Sequence, residues 1–421
     1  MRILVDQSGY DLLNIGDVAM LQACAARLRQ QWPDAEIMVI AHDPPRLAAY
    51  CPGTRAITRS LAGHPLLRRL PRKPQLASEQ VWKVAAPYFC GRVTTGRAAG
   101  ERPGTAIQAV QAADLVVASG GGYLTDSWWW HAAGVLSLLS LAQRLGKPTA
   151  MFGQGIGPIS RPWLRAQAGA VLPKLRVLGL REDRMGRDLA LSLGTPAAAM
   201  TLTGDDALEL IDGAPAAAGD ALGLSVRVAG YAGVAPGAAV DIGDVVTGVA
   251  GELGAPVAGL PVSRYPADAD LAALRALLGS GRSSGLTEGA LDLEDITSPP
   301  ALAAAAGGCR AIVTGSYHAA VFGLAQGVPV VCLTKSAYYE GKFGGLRALF
   351  PGACSVVPLD PPDYAARLTA AIRHAWCLPD EARAAARGSA ARLRDAGRAA
   401  YAQFRAEVER PAAVTARAGN G

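Results

Sequence analysis

Short aliphatic and β-branched runs alternate along this chain with longer amphipathic or alanine-rich stretches. That is the pattern of a strand, a crossover helix and the next parallel strand. In the first half the apolar runs predict strands over 2–5, 36–40, 115–118, 149–152 and 177–180, with helices over 18–31, 128–145 and 183–193. In the second half they predict strands over 222–226, 256–260, 311–313 and 329–333, with helices over 269–278, 300–306 and 319–326. The predicted fold class is α/β.

The length turns this alternation into two domains. A chain of 421 residues exceeds what one hydrophobic core usually supports, and with 50% hydrophobic, 18% charged and 6% aromatic residues it is neither disordered nor a small disulfide scaffold. A Pro/Gly/Ala segment at 212–219 (DGAPAAAG) has little to bury and marks the expected hinge. The expected partition is an N-terminal domain over 1–211, a C-terminal domain over 220–378, and a C-terminal helix and tail over 379–421. Residues 61–104 read as an insertion, and the basic run Arg68, Arg69, Arg72 and Lys73 within it reads as a solvated face.

Charge and cysteines narrow the surroundings. The net charge is +6, but only six of the 41 basic residues are Lys, an Arg skew that fits GC-rich coding. Basicity is therefore weak evidence for an anionic partner, and without a dense Lys/Arg block interleaved with aromatics the reading is no nucleic acid. Seven cysteines without a CxxC pair read as reduced, buried thiols, and five scattered histidines offer no zinc spacing, so neither a metal nor a cofactor is expected. The start MRILVDQSGY carries Arg2 and Asp6 and does not read as an export signal. The longest apolar stretch, 128–141, is too short to span a bilayer. The expected location is cytoplasmic, with at most peripheral contact at the inner face of the cell membrane.

Four glycine-bearing turns follow predicted strands, where doubly wound sheets place their ligands. In the first, Asn14, Ile15, Gly16 and Asp17 open a helix, and Asp17 reads as its N-cap. The second runs from Ser119 through Gly120, Gly121 and Gly122 to Asp126; its glycines permit close backbone approach, and Asp126 is either a helix cap or a base for a hydroxyl. The third, Gly153-Gln154-Gly155-Ile156-Gly157-Pro158, reads as a tight turn, with Gln154 able to donate and accept hydrogen bonds. In the fourth, Gly315-Ser316-Tyr317-His318 opens a helix whose dipole disfavours an imidazolium at His318. Arg181 ends the VLGL strand and suits a carboxylate or phosphate, or else an ion pair with Glu182, Asp205 or Asp206.

Taken in order, NIGD, SGGGYLTD, GQGIGP, LREDR, GDDA and GSYHAAVFGLAQGVPVV, followed by Tyr338 and Lys342, resemble the polysaccharide pyruvyl transferase family over residues 1 to about 350. The resemblance implies two Rossmann-like domains facing across a cleft in a GT-B-like arrangement. It implies transfer of pyruvate from phosphoenolpyruvate to a saccharide or lipid-linked saccharide, forming a ketal in cell-surface polysaccharide assembly. Asp126, Arg181 and His318 match the family's motif positions. The expected roles are Asp126 as base on the sugar hydroxyl and His318 as acid or as a hydrogen-bond donor on the phosphate side, with Asn14, Asp17, Gly121, Gly122, Gln154, Arg181, Ser316, Tyr317 and Lys342 binding substrate. One position departs: the family has Arg where this chain has Ser316, and Arg227 or Arg310 are the candidates to supply that charge. A GT-B glycosyltransferase using a nucleotide sugar and a non-catalytic saccharide binder are the competing readings.

Overall fold

The computed structural model describes residues 1–57, 106–211, 219–227, 236–266, 270–278 and 293–410. The basic insertion, most of the hinge segment and Cys90 lie outside the described residues, as does the last stretch of the tail.

The first domain is built on β1 (Arg2–Asp6), α1 (Ile15–Gln31), β2 (Glu36–Ile40), α2 (Pro44–Tyr50), β3 (Arg55–Ile57), α3 (Ala106–Ala112), β4 (Leu115–Ala118), β5 (Gly121–Leu124), α4 (Trp129–Arg144), β6 (Thr149–Ile156), α5 (Pro162–Val171), β7 (Val177–Leu180), α6 (Gly186–Ser192) and β8 (Met200–Leu202). The strands form an eight-stranded sheet in the order β3-β2-β1-β4-β6-β7-β8, with β5 also paired to β6. Every pairing is parallel. Continuous apolar runs such as LVVA and VLGL, buried at every residue, are what a parallel sheet covered on both faces requires.

The second domain contains β9 (Ala221–Ser225), α7 (Pro236–Leu253), β10 (Val257–Gly259), α8 (Asp270–Leu278), α9 (Pro299–Gly307), β11 (Cys309–Thr314), α10 (Tyr317–Ala325), β12 (Val330–Thr334), α11 (Ala337–Leu349), β13 (Cys354–Pro358) and α12 (Tyr364–Trp376). Its five strands run β10-β9-β11-β12-β13, again all parallel.

The last helix, α13 (Asp380–Glu409), belongs to both halves. Ala386, Ala390 and Leu393 pack in one core with α10, while Ala400, Tyr401 and Phe404 pack in another with β1, β2 and Phe152. Tyr401 stacks on Phe152 with ring centroids 3.7 Å apart. Ile15, Ala19 and Met20 of α1 share the former core with Leu260, Val262 and Tyr317, so the two domains bury apolar surface against each other beside their strand ends. A backbone bridge reinforces this contact: the Ile15 amide donates to the Val262 carbonyl at 3.0 Å and the Arg264 amide to the Leu13 carbonyl at 2.7 Å.

The turns depart from the sequence pattern in two places. The SGGG segment contains β5, and β6 runs on to Ile156, so Gln154 and Gly155 lie in a strand rather than a turn. The bends fall instead at Gly153 and Gly157, whose φ values of 55° and 92° are in the region open to glycine.

Candidate active site

Helix α1 does not begin where the pattern suggests. Asn14, not Asp17, is the N-cap, its Oδ1 accepting from the Gly16 and Asp17 amides at 3.0 and 3.2 Å. The Asp17 carboxylate is thereby released from capping. It accepts from the Ser8 hydroxyl and faces His318, Lys342 and Arg227 of the second domain. Burial raises its carboxyl above the usual range, although His318, Ser8, Lys342 and Arg227 all pull it down. Gly9 lies against it: a Cβ there would come within 2.9 Å of Asp17 Oδ2.

Across the domain junction, His318 sits in the first turn of α10, and its ring packs on Gly16. Its Nε2 is buried 3.5 Å from Asp205 Oδ2. The same carboxylate oxygen lies 3.5 Å from Arg181 Nη1. Burial pushes the Asp205 carboxyl up, yet His318, Arg181 and the Ala207 amide together bring it down to about 2. Asp205 therefore remains ionised at neutral pH, and a charged imidazole at His318 meets a counter-charge as well as the helix dipole. Its neighbour points the other way. Asp206 is held in the core by Arg27 at 2.6 Å and by the Tyr401 hydroxyl at 3.2 Å.

Arg181 is 2% exposed at the end of β7, and its guanidinium stands 4.3 Å from the Tyr317 ring centroid. The ion-pair alternative is present, through Asp205, but at 3.5 Å it is long, and the buried Arg181 Nε has no hydrogen-bond partner among the described residues. Space for the guanidinium exists because two positions lack side chains: a Cβ on either Gly122 or Gly155 would lie 2.6 Å from Arg181 Nη2. Lys342 Nζ, carried by α11, completes the group 4.7 Å from the Tyr317 centroid and 5.6 Å from that of Tyr338. Burial and the nearby Arg181 and Arg227 hold the Lys342 ammonium well below the ordinary lysine range, against the opposing pull of Asp17 and Asp205. Tyr338 ties the second domain to the glycine loop, its hydroxyl donating to the Gly122 carbonyl at 2.9 Å.

The third basic group lies two residues beyond the end of β9. Arg227, 6% exposed, pairs with Asp270 Oδ1 at 3.4 Å, while Asp270 Oδ2 accepts from the Val262 and Ser263 amides and from Ser316 Oγ at 3.3 Å. Ser316 occupies the N-cap position of α10 but makes no cap hydrogen bond with its side chain. Arg310 is placed differently. It lies at the opposite end of β11, exposed, with its Nε donating to the Trp376 carbonyl. Of the two arginines that could compensate for Ser316, Arg227 is the one brought to the cluster.

Not every expected residue joins the cluster. Asp126 lies beside the loop after the cis Gly157–Pro158 bond, its oxygens accepting from the Ser160 amide (2.7 Å), the Ser160 hydroxyl (2.6 Å) and the Arg161 amide (3.2 Å). Burial opposes ionisation, but these donors and the Arg161 guanidinium hold its carboxyl below the usual range. In this arrangement the carboxylate clamps the loop that returns at Ser160 and Arg161. Gln154 is likewise internal: fully buried, its Nε2 faces the Ser119 and Phe152 carbonyls and the Tyr123 hydroxyl, fastening the glycine loop to β6. Gly121 is spared a side chain because a Cβ would strike the Tyr123 ring.

Asp205 and Asp270 emerge as site residues only in three dimensions. Asp205 had a signal, in GDDA, that could not be told apart from Asp206; Asp270 had none. Among the described residues no group of three His, Cys, Asp or Glu side chains could hold a metal ion, and no helix is long and apolar enough to cross a membrane.

Comparisons with known proteins bear on this geometry. The chain is similar in fold to a UDP-N-acetylglucosamine 2-epimerase from Neisseria meningitidis bound to UDP-GlcNAc (TM-score 0.57, 10% identity, 96% of this chain and 99% of that one). It is similar also to a Listeria monocytogenes protein described as such an epimerase (TM-score 0.59, 12% identity, 97% and 96%) and to the glycotransferase of kitacinnamycin (TM-score 0.53, 13% identity, 95% and 97%). At these identities the likeness establishes the fold alone, the two-domain GT-B arrangement of glycosyltransferases and epimerases. No curated protein matches the sequence significantly. A family model described as polysaccharide pyruvyl transferase matches residues 14–336, from the cap of α1 to that of α11. Covering most of the chain, that match shows that the protein belongs to the polysaccharide pyruvyl transferase family and is a transferase.

Proposed function

We propose that the protein transfers the pyruvyl group of phosphoenolpyruvate to a saccharide, forming a ketal and releasing phosphate. The observation that carries this reading is the convergence of Arg181 from the first domain with Arg227 and Lys342 from the second, beside His318. Two guanidiniums, with a Lys342 amine that a bound anion would hold protonated, suit a donor with a carboxylate and a phosphate, because each anionic group can take charge-assisted hydrogen bonds worth roughly 1.5–3 kcal/mol apiece. The Arg181 fork is suited to two oxygens of one anionic group, whereas Lys342 acts as a point charge. The first-turn amides of α10, beside an N-cap serine that makes no cap bond, add donors of the same sign.

In this reading Arg227 supplies the charge that the family carries at position 316. Asp270 orients it, and Ser316 leaves the room. His318 delivers the proton that turns the donor methylene into a methyl group, and Asp205 stabilises the imidazolium before transfer. The first domain then presents the acceptor, a saccharide free or lipid-linked, on the cytoplasmic side, and the second, together with Arg181 of the first, holds the donor. No metal or cofactor enters the scheme.

A thermal-shift panel tests the donor. A ligand that binds only the folded state adds roughly 2.7 kcal/mol at a hundred times its dissociation constant. Stabilisation by phosphoenolpyruvate and not by UDP-sugars supports the proposal; stabilisation by UDP-sugars alone would favour a glycosyltransferase.

A further inference from the structure

We propose that Asp17 is the base that takes the proton from the first acceptor hydroxyl, an assignment that rests on the pyruvyl-transfer reading. Five other carboxylates near the domain junction are committed elsewhere. Asp126 accepts from three donors of the Ser160–Arg161 loop. Asp205 faces His318 and Arg181 and accepts from the Ala207 amide at 2.9 Å. Asp206 is paired with Arg27. Glu182 accepts from the Arg184 amide at 2.9 Å, and Asp270 from two amides and Ser316.

Asp17 differs in three respects. Asn14 takes over the capping of α1, so no amide of that turn needs the Asp17 oxygens. Its neighbour Gly16 touches the His318 ring, which puts Asp17 on the face of α1 that meets the donor-side machinery. The glycine at position 9 lets the chain after β1 pass close to Oδ2, where a Cβ would come within 2.9 Å of it. The groups facing it are the Ser8 hydroxyl on its own side, and His318, Lys342 and Arg227 across the junction. Burial that raises its carboxyl makes it a better proton acceptor than a surface aspartate.

The proton inventory then closes with two groups. His318, charged, gives a proton to the donor C3 as the first hydroxyl oxygen bonds to C2 and passes its proton to Asp17. The C2–O bond to phosphate breaks, and phosphate departs with the proton held by Asp17. The second hydroxyl adds to C2 and returns its proton to His318. Both side chains end as they began, and the products are one ketal and one hydrogen phosphate.

The test uses the full-length protein with phosphoenolpyruvate and p-nitrophenyl glycosides of glucose, galactose and mannose. Wild-type phosphate release that requires both partners secures the underlying reading; its absence with every glycoside overturns that reading and the assignment with it, before any variant is made. Given wild-type turnover, Asp17→Asn should lower kcat about 100-fold or more. It should keep or enlarge the phosphoenolpyruvate thermal shift, since a negative charge beside the anion is gone, and lose the acidic limb of the kcat–pH profile. Asp17→Glu should restore part of the rate. Asp17→Asn retaining kcat within threefold, or losing rate and donor binding together, would overturn the assignment.

Discussion

Gly16 of α1 lies against the His318 ring of the opposite domain so closely that a Cβ at position 16 would overlap the imidazole. One missing side chain thus sets how near the domains approach at the site. In an unconstrained helix, Gly→Ala stabilises by roughly 1 kcal/mol. Here Gly16→Ala should instead displace His318, and because misplacement by about an ångström can cost about 100-fold in rate, kcat should fall by that order. Steady-state kinetics with a circular-dichroism melt check this; a variant that is both more stable and fully active would contradict it.

Arg181 depends on two absent side chains in the same way. Arg181→Lys keeps the charge but loses the fork, so the dissociation constant for phosphoenolpyruvate should rise about 10- to 100-fold. Gly155→Ala, which brings a Cβ to 2.6 Å from Arg181 Nη2, should weaken donor binding in the same direction. Isothermal titration of both variants reads the effect, and unchanged affinity in Arg181→Lys would remove Arg181 from the cradle.

Arg227 and Arg310 separate cleanly. Arg227→Ala should abolish most of the phosphoenolpyruvate thermal shift, while Arg310→Ala, whose side chain stacks on Trp376 at 5.4 Å, should preserve it. The reverse ranking in the thermal-shift assay would place the compensating charge at the wrong end of the sheet.

Asp205 makes stability depend on pH. Its folded carboxyl, at about 2, lies below the unfolded value of roughly 3.9, so folding favours the ionised form. The resulting stabilisation, about 2–3 kcal/mol, is present above roughly pH 4 and is lost as pH falls through about 2. Urea unfolding of the wild type and Asp205→Asn should therefore differ by a constant amount between pH 7 and 5, and by less at pH 3. A difference that does not change down to pH 3 would contradict the ionised assignment.

The parallel strands were legible because buried strands such as LVVA and VLGL are unbroken apolar runs, and their carboxyl ends located Arg181 and His318. Hidden were the choices between neighbours of equal propensity. Asn14 and Asp17 are both good caps three residues apart, and only the path of the chain into α1 decides that Asn14 serves. Asp205 and Asp206 are adjacent and identical, yet a 3₁₀ turn starting at Asp206 sends one to His318 and the other to Arg27. Asp126 looked accessible beside a glycine loop because the returning Ser160–Arg161 segment is 34 residues away in sequence. Asp270 stands in no motif, and its role follows from backbone amides that only the folded second domain brings to it.

Phosphate release from phosphoenolpyruvate, followed in the presence and absence of a saccharide acceptor, tests the central claim most directly. The account predicts release that requires both partners, one phosphate for each pyruvyl ketal seen by mass spectrometry, and its collapse in Arg181→Ala and His318→Ala. Saccharide-independent release, or a ketal-free glycoside formed from a UDP-sugar, would contradict it.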